Sequence, residues 1–333
     1  MIKTLFHQIG AYKKDSILTP IYAAAEVIME ILIPFVTAAI IDEGIQAGNM
    51  QKVLQYVVIM IVLALLSLFF GIQAGRKAAS ASTGFACNLR ESMYRNIQTF
   101  SFSNIDKFST AGLVTRMTTD VTNMQNAYQM ILRIAVRAPM TLICSMVMCF
   151  IINVKLSLIF LVALCVLAAA LIYIMMHAMP VFQEVFSKYD DLNASVQENV
   201  TAIRVVKAFV REDFENQKFG KAAEVLCKLF VKAESIIVFN APIMMTVIFA
   251  SMLGLSWIGA QLIVAGDLTT GNLMSLFSYV LSIMMSLMML SMIFVMLTMS
   301  TASAKRIVEV LNEKADLTDP QEPLKEVKDG SID

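Results

Sequence analysis

Residues 198–219 read ENVTAIRVVKAFVREDFENQKF. Arg204, Lys207, Arg211, Glu212, Asp213, Glu215 and Lys218 crowd this stretch, although the 333-residue chain is 58% hydrophobic and only 16% charged. Val196, Val200, Ile203, Val206, Val210 and Phe214 recur at steps of three and four, which predicts a helix with one apolar face. Glu198, Arg204, Lys207, Arg211 and Glu215 fall on the rest of its surface. A long polar helix in so apolar a chain raises the question of which solvent each part meets.

The remainder of the chain answers it. A soluble domain carries about 25% charged residues, and the mean hydropathy here is +0.70. Six stretches, 17–41, 53–72, 138–154, 156–179, 236–264 and 273–299, reach or approach the roughly 20 apolar residues that cross a bilayer. All six read as helices, because a lipid-exposed backbone must satisfy its polar groups within itself. The expected fold is therefore an all-α membrane protein with six transmembrane helices and long cytoplasmic extensions.

The links between the stretches alternate. Residues 42–52, the turn near Asn153–Lys155 and residues 265–272 are short, whereas 73–137 and 180–235 are long and polar. Of the 26 Lys and Arg, only Lys52 and Lys155 fall on the short-loop side. The positive-inside rule then places the long loops and both termini in the cytoplasm, in a multi-pass protein of the inner or plasma membrane. The N-terminal residues Ile2, Leu5, Phe6, Ile9 and Tyr12 stand at helical spacing beside Lys3, Lys13 and Lys14, which suits an interfacial helix rather than a signal peptide.

Other classes are set aside by composition. The formal net charge is zero, so no basic excess exists to meet nucleic-acid phosphates. Cys87, Cys144, Cys149, Cys165 and Cys227 are scattered with no CxxC pair, which indicates neither zinc nor a disulfide framework and leaves them as small packing residues.

Most connections in proteins are short, so two long polar loops need a reason. Folded back as two antiparallel arms of about 25 residues, residues 180–235 project on the order of 40 Å. A self-contained cytosolic bundle fits this layout, and a lever reaching a soluble partner fits it better.

At these loops the sequence resembles the ABC exporters. SFSNIDKFSTAGLVTRMTTDVTNMQ (101–125) is similar to their first intracellular loop, with Phe108, Gly112–Leu113, Arg116 and Asp120–Val121 on its pattern. The opening stretch resembles the second intracellular loop, and TASAKRIVEVLNEK (301–314) the helix that leaves the sixth span toward the nucleotide-binding domain. IIDEGI after the first span fits too, and RIAVRAPMTLI (133–143) and INVKLS (152–157) look most like the bacterial heterodimeric multidrug branch.

The resemblance implies an N-terminal interfacial elbow helix at 1–15, a six-helix transmembrane domain at 16–312, and a linker with the start of a nucleotide-binding domain at 313–333. It implies short coupling helices at the loop tips. The first falls near Phe102–Lys107, with Phe102, Asn104, Asp106 and Lys107; the second falls near Phe209–Glu215, with Phe209, Arg211, Glu212 and Phe214. The implied partners are a second half-transporter, nucleotide-binding domains, the lipid bilayer and a lipophilic small-molecule substrate.

No cofactor or catalytic residue is expected in this chain. A phosphate-cradling loop reads GxxxxGK[ST], and the only Gly-Lys pair, Gly220–Lys221, is followed by Ala222. ATP and Mg are implied for associated domains alone. LKEVKDGSID (324–333) resembles the opening strand of such a domain, so the chain is expected to be the permease portion of a longer polypeptide.

Within the spans, Glu26 and Glu30 stand one helical turn apart, and intramembrane carboxylates usually face a cavity or a partner. They read either as part of the substrate pathway or as structural carboxylates bonded to a neighbouring helix. Met285, Met289, Met292, Met296 and Met299 form one stripe with Phe277 and Phe294 nearby, which reads either as an adaptable substrate surface or as lipid-facing Met bias. Arg133 and Arg137 are placed at the cytoplasmic interface, snorkelling or pairing with acidic neighbours. The resulting expectation is the transmembrane half of an ATP-driven exporter working by alternating access. The alternatives are an ion-coupled secondary transporter using Glu26 and Glu30, and a membrane scaffold or receptor whose arms dock a signalling partner.

Overall fold

A computed structural model describes residues 2–315, apart from the side chains at 2, 294, 295, 298 and 299. The expected linker and strand beyond residue 315, and the side chains of Phe294 and Met299, therefore lie outside the described residues. Within them the chain is helical throughout, without strands. A short helix α1 (Ile2–His7) and a 3-10 turn (Gly10–Tyr12) lead into α2 (Lys13–Ala39). Then come α3 (Met50–Ile97), α4 (Phe102–Phe108), α5 (Thr110–Thr115), α6 (Val121–Ile152) and α7 (Val154–Thr201). They are followed by α8 (Ile203–Ala208), α9 (Glu212–Ile237), α10 (Asn240–Ala265) and α11 (Thr270–Asn312). Among the described residues, six helical segments are long and apolar enough to cross a membrane.

The four longest helices outrun any bilayer. The 48 residues of α3 make about 72 Å of helix, of which the apolar stretch 53–72 needs only the first part. Residues 73–97 add roughly 37 Å of polar helix beyond it. In α7 the residues after Pro180 do the same, and α9 returns over a similar length.

The chain divides into two compact units, the first comprising residues 1–36, 54–144 and 288–333, the second residues 37–53 and 145–287. In the first unit one apolar core gathers Ile9, Phe85, Leu89, Met93, Phe108, Leu113, Val121, Ile307 and Val310, with Leu5 and Tyr12 packed against it. Gly84 is needed there because a Cβ at that position would collide with the Tyr12 ring. The apolar side of the N-terminal segment is thus largely spent on protein, and Phe6, which is exposed, remains for other contacts.

In the second unit the two short loops meet. The Asp42 carboxylate accepts from the Gly271 N–H at 2.8 Å, closing the first turn of α11, and Gln46 bonds Thr270. A side chain at Gly271 would strike the Ala38 carbonyl and Asp42, so glycine permits this close approach. Further along, α7 and α9 run as an antiparallel pair around Val185, Leu226 and Ala233.

Two expectations change. The single apolar helix predicted through 196–214 is broken: α7 stops at Thr201, α8 spans only Ile203–Ala208, and α9 begins at Glu212. Val210 lies in the intervening turn at φ +51°, a conformation that a β-branched residue rarely adopts. Of the five cysteines expected as packing residues, only Cys149 is buried; Cys87, Cys165 and Cys227 sit on exposed helix faces.

Candidate functional site

The first loop tip is built from α4, α5 and the start of α6. Ser101 caps α4, its N–H and hydroxyl both bonding Asn104 Oδ1. Asn104 is buried, and its amide donates to the Glu313 carboxylate and the Lys314 carbonyl, both at 3.1 Å. Lys107 reaches the same carboxylate at 2.9 Å. Phe108 is buried too, stacked on Phe100 with centroids 5.8 Å apart and with the Arg116 guanidinium 4.7 Å from its ring centroid. Phe102 is left pointing outward, 86% exposed, and Asp106 is also exposed.

These contacts bind the tip to the last turns of α11. Arg116 donates to Glu309 at 2.8 Å and to the Arg306 carbonyl at 3.1 Å. Asp120, only 1% exposed, accepts two bonds from Arg306 at 2.7 and 2.5 Å and one from Ser303 at 2.9 Å. This pairing holds the Arg306 guanidinium above its ordinary pKa. Asn96 of α3 donates to the Val310 and Glu313 carbonyls at 2.7 and 2.9 Å, satisfying groups that a helix end leaves without an intrahelical partner. Bonds from a charged fork to a fully desolvated carboxylate are among the strongest a protein makes.

The second loop tip has a different character. Lys207 pairs with Glu212 at 2.9 Å, Asn199 with Glu215 at 3.1 Å, and Lys218 with Glu198 at 3.7 Å. Glu212, Asp213 and Glu215 occupy the first turn of α9, where the helix dipole favours negative charge. Arg211 lies 5.8 Å from the Phe214 ring centroid. Phe209, Val210 and Phe214 are all exposed, Val210 at 81%. An open groove of about 520 Å³ runs between the end of α7, α8 and the start of α9, lined by Val200, Ile203, Val206, Lys207, Glu215 and Phe219 among others. The expected segment Phe209–Glu215 thus covers a turn and the first turn of α9, while the short helix itself precedes it.

Within the spans, Arg137 holds both carboxylates. Its guanidinium meets Glu26 at 2.5 Å and both oxygens of Glu30 at 2.8 Å. The Glu26 side chain is 8% exposed and that of Glu30 42%. Gly71 of α3 lies against Glu26; a Cβ there would stand 2.9 Å from its Oε1. Desolvated charge is costly unless paired, and here one guanidinium answers two acids. On α11, Met285, Met289 and Met292 are exposed and Met296 is half-buried, while Ile283, Met284 and Leu287 face inward.

Sequence reasoning named Asn104, Lys107, Asp120, Glu26 and Glu30 without their partners. Arg116, Phe108 and Asp120 were visible as a loop pattern, but not as a clasp on Arg306 and Glu309. Asn96 carried no signal at all, since an isolated asparagine in a polar helix is unremarkable until the helix it caps is placed beside it.

Comparison with known proteins agrees with this architecture. The ABC transporter transmembrane region matches residues 17–288. The chain is 31% identical over 291 residues to an uncharacterised ABC transporter ATP-binding protein of Bacillus subtilis, YfiB, covering 87% of this chain and 51% of that one. It is 28% identical over 323 residues to an uncharacterised ABC transporter ATP-binding protein of Mycobacterium tuberculosis, covering 97% and 56%. An ATP-dependent lipid A-core flippase of Desulfotalea psychrophila is 25% identical over 239 residues, 71% of this chain and 41% of the flippase. The chain spans about half the length of these relatives. With six apolar spans and a family match over most of its length, this protein belongs to the ABC transporter transmembrane region family.

Proposed function

We propose that the chain is the permease half of an ATP-driven exporter that moves lipophilic, multidrug-type substrates by alternating access. The observation that carries this reading is the pair of long polar arms, each ending in exposed aromatic residues: Phe102 at one tip, Phe209 and Phe214 at the other. Exposed aromatic residues are enriched at the core of protein interfaces. Nucleotide-binding domains are the proposed partners at those tips, with ATP and Mg bound on them. A second half-transporter, in a heterodimer, completes the substrate cavity. Both termini lie in the cytoplasm of a bacterial inner or plasma membrane.

In the pathway, Met285, Met289 and Met292 offer a flexible, polarisable face to varied apolar ligands. Glu30, more accessible than Glu26, adds negative charge that favours cationic amphipaths. Inverted vesicles carrying the full-length transporter test this reading: a lipophilic cationic dye should accumulate only with ATP and Mg. Accumulation driven by a proton gradient without ATP would replace the reading with a secondary transporter. Glu30→Gln should weaken cationic dyes and spare neutral ones; an unchanged profile would make the Arg137 cluster purely structural.

A further inference from the structure

The contacts of the first loop tip are unevenly distributed. Asp120 takes bonds from Arg306 and Ser303, Arg116 from the same region binds Glu309, and Asn104 and Lys107 both converge on Glu313. Asn96 of α3 adds two bonds to the carbonyls at the end of α11. The apolar core joins the same elements, with Leu113 and Val121 from the loop and Ile307 and Val310 from α11. The polar and apolar attachments therefore alternate from Ser303 through the end of α11 to Lys314 just beyond it.

At the second tip, the bonds between side chains found among the described residues run between residues 198 and 218, and each lies at the surface or only partly buried. The chain turns there through Val210 at positive φ, as the first tip turns through Ser109, but only the second bend is followed by an open groove among the described residues. Surface ion pairs hold a segment less firmly than charged bonds to a desolvated carboxylate.

We infer that the first loop tip and the end of α11 form one rigid body, clasped by Asp120, Arg306 and Glu313, so that movement of the chain following α11 passes directly to α3 and α6. The second tip is the adjustable joint. Asp120, Arg306, Asn96 and Glu313 are on this account positioning residues: they touch no substrate and act by keeping Phe102 in fixed register with the chain that leaves the domain. The inference rests on the exporter reading for its purpose, while the rigid body itself is a property of this chain.

The experiment uses the full-length transporter in lipid nanodiscs. Hydrogen exchange is compared between wild type, Asp120→Asn and the milder Ser303→Ala. Loss of the clasp should speed exchange at least tenfold in 102–120 and 303–312 together, with 198–218 unchanged. Acceleration confined to one of the two segments would overturn the rigid body. In parallel, cysteines at Lys107 and Glu313, in a background with the five native cysteines replaced by serine, are joined by a short reducible cross-linker. Turnover within about twofold of the uncross-linked protein is expected. A loss beyond tenfold that reductant reverses would show that the two elements must part during transport and would sink the inference. Absence of any ATP-dependent turnover in wild type would instead refute the exporter reading, and the exchange result would still decide the rigid body.

Discussion

At the first loop tip a desolvated carboxylate, Asp120, takes three bonds from α11, and aromatic Phe108 is stacked inside the fold. At the second tip Phe209, Val210 and Phe214 stand in solvent, and the ion pairs Lys207–Glu212 and Lys218–Glu198 lie on the surface. Both tips close a polar hairpin of comparable length, so the difference does not come from connectivity. It comes from what each hairpin packs against within its own unit. The first borrows its stability from α11, whereas the second is held by its own two arms and leaves its apolar residues for something else to cover.

That contrast can be broken most forcefully at Asp120. Asp120→Ala strands Arg306 and Ser303, and removing one member of a buried pair costs about 3 kcal/mol, near the low end of the usual range because the Arg306 side chain is half-exposed. A marked fall in melting temperature in nanodiscs checks it; an unaltered melt would mean that the clasp contributes little.

Next in size is Phe209→Ala. Its melting temperature should stay close to wild type, since exposed substitutions away from packed features shift stability by about 0.5 kcal/mol or less. Affinity for the associated nucleotide-binding domain should nevertheless drop roughly tenfold or more, as for an interface anchor. Equal losses in stability and affinity would assign Phe209 to the fold after all.

A smaller effect of opposite sign is expected at Val210. Glycine adopts positive φ without steric cost, so Val210→Gly should stabilise the second arm by about 1 kcal/mol. Proteolysis of the arm should slow accordingly, and faster cleavage would show that the branched side chain packs usefully. The smallest change belongs to Lys207→Gln with Glu212→Gln. Surface ion pairs contribute little, and thermal melts of the single and double variants should coincide with wild type.

Much of this molecule is readable in one dimension because hydropathy is a local property. The six apolar stretches appear as runs, and all of the long polar extensions appear as interruptions of those runs. Glu26 and Glu30 are visible as a pair since four residues make one turn. Arg137 is not visible as their partner, because its distance along the chain, 111 residues from Glu26, says nothing about distance in space. The break at 209–211 was hidden for another reason. The apolar spacing from Val196 to Phe214 continues across it, so periodicity alone predicted a helix where the backbone turns. Asp120 and Arg306 each belonged to a legible motif, yet their union is tertiary and no window on the sequence contains both.

That union has a consequence for how the protein is made. Asp120 and Arg306 are separated by 186 residues, and ribosomes add about 5–20 residues per second. For roughly 10–40 seconds after Asp120 emerges, the residue destined to neutralise it has not yet been synthesised. Through that interval the nascent first hairpin must keep its carboxylate hydrated, and its apolar core cannot close until the last span has been inserted. A translation pause between the third and sixth spans lengthens the exposure.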